Sequence, residues 1–319
     1  MTTVVTGGTG VVGRALLKHL GDDSIPVRAL VRTPGRTLPA GVEAVTGDVL
    51  DYPSLVRAFA GADLVFHVAG VNKMCLPDAN EVYRVNVDGT RNVLKAAEEA
   101  GVRRIVYTSS AATIGEDPGA IGNEETVRRG TFGSHYERSK YQAERIALTE
   151  GATDVVVVNP SSVQGPGRAT GTGKVLLDLI AGRLSTVVDT RISIVDIDDC
   201  ARGHIVASIN GQPRQRYILN SFSMTIQEAV GVIEKVVGHS LRVRYIPAFI
   251  ALAGGTAIGG AYRLGRRQAP VCLEMVRTLI HGHVYDGSRA ARDLGLIYTP
   301  ATETLERLIV WARSKGLLP

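Results

Sequence analysis

The chain has 319 residues, is 45% hydrophobic and 21% charged, and carries a formal net charge of +5 at pH 7. That length exceeds one average domain and the composition is that of a globular protein, which excludes a disordered or fibrous chain and predicts a large domain with a smaller companion. The charge sits on seven lysines and 29 arginines scattered along the chain, not clustered and interleaved with aromatics as nucleic-acid binding requires, so no nucleic-acid partner is expected.

Met1 leads within two residues into an apolar strand, which leaves no room for a signal peptide and predicts a cytoplasmic protein. Cys75, Cys200 and Cys272 are odd in number, far apart and without a CxxC pair. They are therefore expected as buried small hydrophobes, not as a disulfide framework or zinc cluster.

The first half alternates short β-branched runs with amphipathic segments, the pattern of a parallel doubly wound sheet. Strands are predicted at 3–6, 27–31, 42–45, 64–68, 104–108 and 155–158, each too apolar for a solvated face. Helices are predicted to start near Val11, Tyr52, Val85 and Tyr136. The first strand runs into Thr6-Gly7-Gly8-Thr9-Gly10-Val11-Val12-Gly13. In a strand-turn-helix context this is a phosphate cradle: Gly7 makes the turn, Gly10 admits a pyrophosphate, Gly13 lets helix and strand pack, and the helix N-terminus faces the anion. The second strand ends in Arg32, with no carboxylate available for a ribose hydroxyl. A cation there suits the 2′-phosphate, so NADP(H) is the preferred cofactor and NAD(H) the possible alternative. Asp48 and Val49 follow the third strand toward the adenine, and His67-Val68-Ala69-Gly70 closes the fourth beside the cofactor. A lone histidine such as His67 is expected as a satisfied core residue.

The fifth strand ends in Thr108-Ser109-Ser110, and Tyr136 and Lys140 lie four apart on the following helix. That spacing puts both side chains on one face, where the ammonium is expected to lower the phenol's pKa from about 10 and make it an acid/base. After Asn159-Pro160 a glycine-rich loop at 165–173 is read as the turn into a substrate-binding part. The predicted organisation is a Rossmann-type NADP-binding domain over 1–165, with 187–212 returning to it as a strand at 192–197 and a helix at 199–210, and a smaller substrate-binding part over 166–319.

The stretch 245–262 holds no charge but contains Pro247 and four glycines. A membrane span is not expected there, and a buried helix or the wall of an apolar pocket is. His281-Gly282-His283 lacks a third ligand nearby in sequence, so no metal is expected.

Together these motifs resemble the extended short-chain dehydrogenase/reductases, also grouped as NAD-dependent epimerase/dehydratases. The resemblance covers nearly the whole chain: the glycine loop, Gly47-Asp48, residues 67–70, Asn86-Val87-Asp88-Gly89-Thr90, Ser110, Tyr136/Lys140 and Pro160-Ser161-Ser162-Val163-Gln164-Gly165-Pro166. Residues 134–140 and 217–220 look most like the dihydroflavonol-reductase-like branch, which includes hopanoid-associated sugar epimerases. The resemblance implies that Ser110 orients the carbonyl or alcohol, Tyr136 transfers the proton, and Lys140 holds the ribose hydroxyls. It also implies that Thr108, Tyr136, Pro160, Ser162 and Val163 line the cofactor site with Val68, Ala69 and Gly70, that Asn86 lies near the site, and that a homodimer forms through the helices beginning near Asn86 and Tyr136.

Dehydration is set aside, because Ala111-Ala112 stand where the family's dehydratases carry Asp-Glu. The leading expectation is an NADPH-dependent reductase of an apolar small-molecule ketone or aldehyde. A nucleotide-sugar epimerase with tightly bound NAD is the alternative, gripping phosphate with Arg183, Arg191, Arg214 or Arg216. Asn159 before the proline, and Asp196-Ile197-Asp198-Asp199 without a preceding histidine, count against sugar-nucleotide binding. A non-catalytic NADP-binding regulator is the third reading, and the intact Tyr136/Lys140 pair weighs against it.

Overall fold

The computed structural model describes residues 2–21, 26–265 and 267–318. Its centre is an all-parallel sheet of β1 (Thr3–Thr6), β2 (Val27–Val31), β3 (Val42–Thr46), β4 (Leu64–His67), β5 (Arg104–Thr108), β6 (Asp154–Pro160) and β7 (Arg216–Leu219), in the order β7-β6-β5-β4-β1-β2-β3. Strand order reverses between β1 and β4, which opens a crevice at the carboxyl ends of the strands, where such sheets take their ligands.

The helices are α1 (Val11–Gly21), α2 (Tyr52–Phe59), α3 (Gly89–Glu99), α4 (His135–Thr149), α5 (Thr172–Ile180), α6 (Ile197–Asn210), α7 (Ile226–Val237), α8 (Ala248–Leu264), α9 (Leu273–His281), α10 (Ser288–Leu294) and α11 (Ala301–Ser314). On one face of the sheet Leu16, Leu17 and Leu20 of α1 pack with Cys200, Ala201 and Ala207 of α6. On the other, Leu55 and Phe59 of α2, Val93 and Leu94 of α3 and Ala143 and Ile146 of α4 form a second core. Both faces are thus covered, as the apolar runs of β1, β2, β4, β5 and β6 require. Strand β3 is the exception, because it forms the sheet's edge and stays half exposed, Glu43 pairing there with Arg28.

Several elements differ from expectation. Strand β7 was not foreseen; it joins the far edge beside β6. The segment Arg191–Asp196 is a strand but lies outside the main sheet, between Ser162–Gln164 and Phe222–Thr225 in a three-stranded sheet, while α6 packs back on α1. The helix expected from Val85 begins as a short turn at Asn80–Tyr83, widens into a π-helical turn at Arg84–Asp88 and continues as α3. Beyond the main sheet, Leu176 and Leu177 of α5, Ile233 of α7 and Leu305 and Leu308 of α11 form a separate core.

The uncharged stretch is not a buried helix. Only Gly255 of α8 is buried, and Phe249 is 70% and Leu264 90% exposed. Two of its four glycines have a packing role: a Cβ on Gly255 would stand 2.7 Å from Val276 Cγ2 and one on Gly259 3.1 Å from Cys272 Cβ, so the lack of a side chain there lets α8 lie close on α9 and the residue before it. No described helix is long and apolar enough to cross a membrane. All three cysteines are buried, as expected, but a disulfide is present. Cys200 is free and buried, but Cys75 and Cys272, 197 residues apart with Cα atoms 5.6 Å from each other, form a disulfide that ties the start of α9 to the loop after β4. Sequence spacing cannot reveal a pairing made by tertiary proximity.

Candidate active site

The cradle at the end of β1 is built by steric exclusion. Gly7 has φ +74°, and a Cβ on it would stand 2.6 Å from the amide nitrogen of Ala69, while a Cβ on Gly13 would lie 2.2 Å from the Gly7 carbonyl oxygen. Residues 68–70 therefore press directly against the turn. Thr9 and Gly10 form its exposed tip, and the first amides of α1, which have no partner within the helix, open toward the crevice. Val11, Val12 and Val68 pack, partly buried, against the same core that contains Val163. This geometry fits a dinucleotide pyrophosphate.

The other predicted contacts divide. Arg32 is exposed just past β2 and makes no ion pair or hydrogen bond among the described residues. Asp48 uses one carboxylate oxygen to accept from the Leu50 amide, fixing the turn after β3, and Val49 is buried against Gly89. Pro160 ends β6, and Ser162 accepts a hydrogen bond from the Gln164 side chain. Thr108 contributes its carbonyl, which accepts from Lys140 Nζ at 2.7 Å, while its hydroxyl turns away to His204 Nε2.

Lys140 is buried and also donates to the Tyr107 hydroxyl at 2.8 Å, with Nζ 4.5 Å from that ring's centre. Burial pulls its pKa down to about 7, opposed by the negative charge of Glu144 one helical turn on. Gly70 comes close to both Asn86 and Lys140: a Cβ there would stand 3.2 Å from Asn86 Oδ1 and 3.9 Å from Lys140 Nζ. Asn86 itself lies in the π-helical turn, accepting from the Val71 amide and donating to Ser139 of α4.

Tyr136 departs from the expected electrostatics. Its pKa is raised, not lowered: burial dominates, offset by a hydrogen bond from Ser110 and by the charge of Arg168. Lys140 is held by Tyr107 and Thr108, so the cation that the phenol feels is Arg168. Sequence reading missed that arginine. Its only signal was a lone cation inside the glycine-rich loop at 165–173, and its Nε is buried without a hydrogen-bond partner.

A second omission is the buried carboxylate of Glu144. It accepts from Ser109, from Thr113 at 2.7 Å and from Asn159 Nδ2 at 2.6 Å, and Arg216 donates to its other oxygen. Asn159 Nδ2 also reaches the Ser110 carbonyl, so the residue that departs from the family pattern helps to hold the strand end carrying Ser110. Arg216 is thereby engaged, Arg214 donates to the carbonyls of Ala147, Glu150, Gly151 and Thr153, and Arg183 pairs with Asp178. Three of the four arginines considered as phosphate grips are committed to the fold, while Arg191 is exposed at the start of its strand.

Two buried histidines back the site. The Thr6 hydroxyl accepts from the Ala69 amide and donates to His67 Nδ1, while His67 Nε2 faces the Thr90 oxygen, itself donating to the Asn86 carbonyl. His67 is thus the satisfied core residue expected of it. Burial pushes His67 down to about 3 and His204 to about 4, so both are neutral in the fold, whereas the unfolded chain protonates them below about 6.5. Native stability should therefore fall as pH drops from 6.5 to 5, by up to about 1.4 kcal/mol per pH unit for each ring. Melting temperatures measured across that window test this, and a flat profile would contradict buried neutral rings.

The sequence profile of the NAD dependent epimerase/dehydratase family matches residues 3–219. A relative from Synechocystis sp. carrying the name dihydroflavonol 4-reductase is 32% identical, covering 98% of this chain and 94% of its own. "Sterol demethylase protein B" of Methylococcus capsulatus is 30% identical over the full length of both. The crystal structure of gox2253 superposes with a TM-score of 0.86 at 29% identity, covering 100% of this chain and 99% of the other.

Proposed function

Because the chain belongs to the NAD-dependent epimerase/dehydratase family and is an NAD(P)-dependent oxidoreductase, we propose that it is an NADPH-dependent reductase of a ketone or aldehyde carbonyl on an apolar small molecule. The observation that carries this reading is the Tyr136 phenol, held protonated by burial beside the Ser110 hydroxyl. Reduction of a carbonyl needs a proton donor at the developing alkoxide, and a phenol with a raised pKa is in the donor form at neutral pH.

When bound, NADPH supplies the hydride. The chain's own groups do the rest. Ser110 donates a hydrogen bond to the carbonyl oxygen, and Tyr136 gives that oxygen its proton. The phenolate left behind is stabilised by Arg168, and by the Ser110 hydroxyl once its proton turns from the product alcohol to the phenolate. In this reading Lys140, 3.9 Å from where a Cβ of Gly70 would stand, holds the ribose hydroxyls. Its depressed pKa near 7 means that this donor weakens as pH rises through neutrality.

The apolar character of the substrate is supported by the relatives, whose names point to a flavonoid and a sterol. Exposed, unpaired Arg32 supports the NADPH preference. The test is to titrate cofactor-stripped protein with NADPH and NADH and follow nicotinamide absorbance over a panel of apolar ketones and aldehydes. Net NADPH consumption is expected. Retained NAD with no net consumption would instead favour the epimerase.

A further inference from the structure

Outside the site just described, the fold assembles a cluster that sequence spacing kept apart. Glu116 follows the short 3-10 turn Ala111–Thr113 after β5; His281 ends α9 and His283 precedes the strand Val284–Tyr285. Gly282, at φ +67°, reverses the chain between the histidines, bringing their ring centres to 4.3 Å. The third ligand missing from the sequence near His281 and His283 is thus supplied from 165 residues earlier in the chain, or more. One nitrogen of each ring and one carboxylate oxygen lie within 4.8 Å of one another.

The cluster is not closed by its own hydrogen bonds. Glu116 is 1% exposed, and one of its oxygens, Oε2, has no partner. The other receives His283 Nδ1 at 2.6 Å, and His281 Nε2 lies 3.3 Å away without hydrogen-bond alignment, so that nitrogen is also buried and unpartnered. Leaving two convergent buried polar atoms unpaired is unfavourable for a metal-free protein and is what a coordinating ion relieves. Around this set the Tyr285 hydroxyl lies 2.9 Å from His283 Nδ1, Ser193 donates to the His283 carbonyl, and Arg129 donates to the Glu116 carbonyl. Both histidines also face a pocket of about 560 Å³ shared with Asp117, Phe132, Glu137 and Thr278.

We propose that Glu116, His281 and His283 form a binding site for a divalent transition metal ion, Zn²⁺ foremost. Two imidazoles and a carboxylate are the donor set of zinc sites that keep a fourth position open, and here that position faces the pocket, available to water or to an oxygen donor of a small molecule. The carboxylate reduces the ion's charge, which makes the neighbouring Arg129 tolerable. Because the ligands come from the segment after β5 and from the turn after α9, the ion ties the C-terminal part to the main sheet.

The proposal is tested on untagged full-length protein, stripped with a chelator and titrated with Zn²⁺ alone by calorimetry, with melting temperature followed in parallel. One site per chain and a raised melting temperature are expected. His281→Ala removes a nitrogen that makes no hydrogen bond, so it leaves the fold intact, and it should weaken binding at least about tenfold. Glu116→Gln should do the same, and His19→Ala, at a distant ion pair with Asp198, should not. Absence of binding heat, or affinity unchanged in His281→Ala and Glu116→Gln, would overturn it.

Discussion

Tyr136→Phe should lower kcat for carbonyl reduction by roughly a thousandfold, within the range that general acid catalysis supplies, while NADPH affinity stays within a factor of two. The variant keeps the ring and its packing and removes only the hydroxyl that Ser110 contacts and that Arg168 faces. No cofactor contact depends on that hydroxyl in the proposed arrangement, since the ribose is assigned to Lys140 and the pyrophosphate to the glycine cradle. Steady-state kinetics with the best carbonyl substrate and a fluorescence titration with NADPH separate the two quantities. A variant retaining a fifth or more of wild-type turnover would remove Tyr136 from the proton-transfer role. Loss of NADPH binding instead would mean that the hydroxyl holds the cofactor.

Arg32→Asp should reverse cofactor preference. The wild-type guanidinium is exposed, has no partner among the described residues, and stands directly after β2, where the adenosine ribose is expected. Losing one charge-assisted pair with the 2′-phosphate corresponds to about 1.5–3 kcal/mol, and the new carboxylate repels the phosphate while accepting from the 2′-hydroxyl of NADH. The ratio of NADPH to NADH affinity should therefore fall by roughly 100- to 1000-fold. Added salt should weaken NADPH binding to the wild type more than to the variant, because the lost contact is exposed and screened. An unchanged ratio would place the 2′-phosphate elsewhere or assign the protein to NAD.

Much of the frame was legible residue by residue. Strands β1, β2 and β5 and the starts of α1 and α2 fall where the apolar runs and the glycine loop put them, because local pattern decides them. Strand β7 escaped because Arg216–Leu219 is a four-residue run whose partner, β6, lies far back in the chain. Exposure of α8 escaped for a related reason: an uncharged segment reads as buried, and only its neighbours decide whether anything covers it.

The same division holds within the site. By itself the sequence determined the glycine turn between β1 and α1, the covered parallel sheet, and the positions of Ser110 after β5, of Tyr136 and Lys140 one turn apart on α4 and of Arg32 after β2, since these depend on residue type, on spacing within one turn, or on the position following a strand. Only the tertiary structure decided which charges meet. It gave Lys140 to Tyr107 and Thr108, set Arg168 against Tyr136, buried Glu144 among Ser109, Thr113, Asn159 and Arg216, joined Cys75 to Cys272, and brought Glu116 to His281 and His283. The reason is physical: a side chain's ionisation and partners follow from burial and from charges a few ångströms away in space, and folding brings together groups that may be nearly 200 positions apart in the chain.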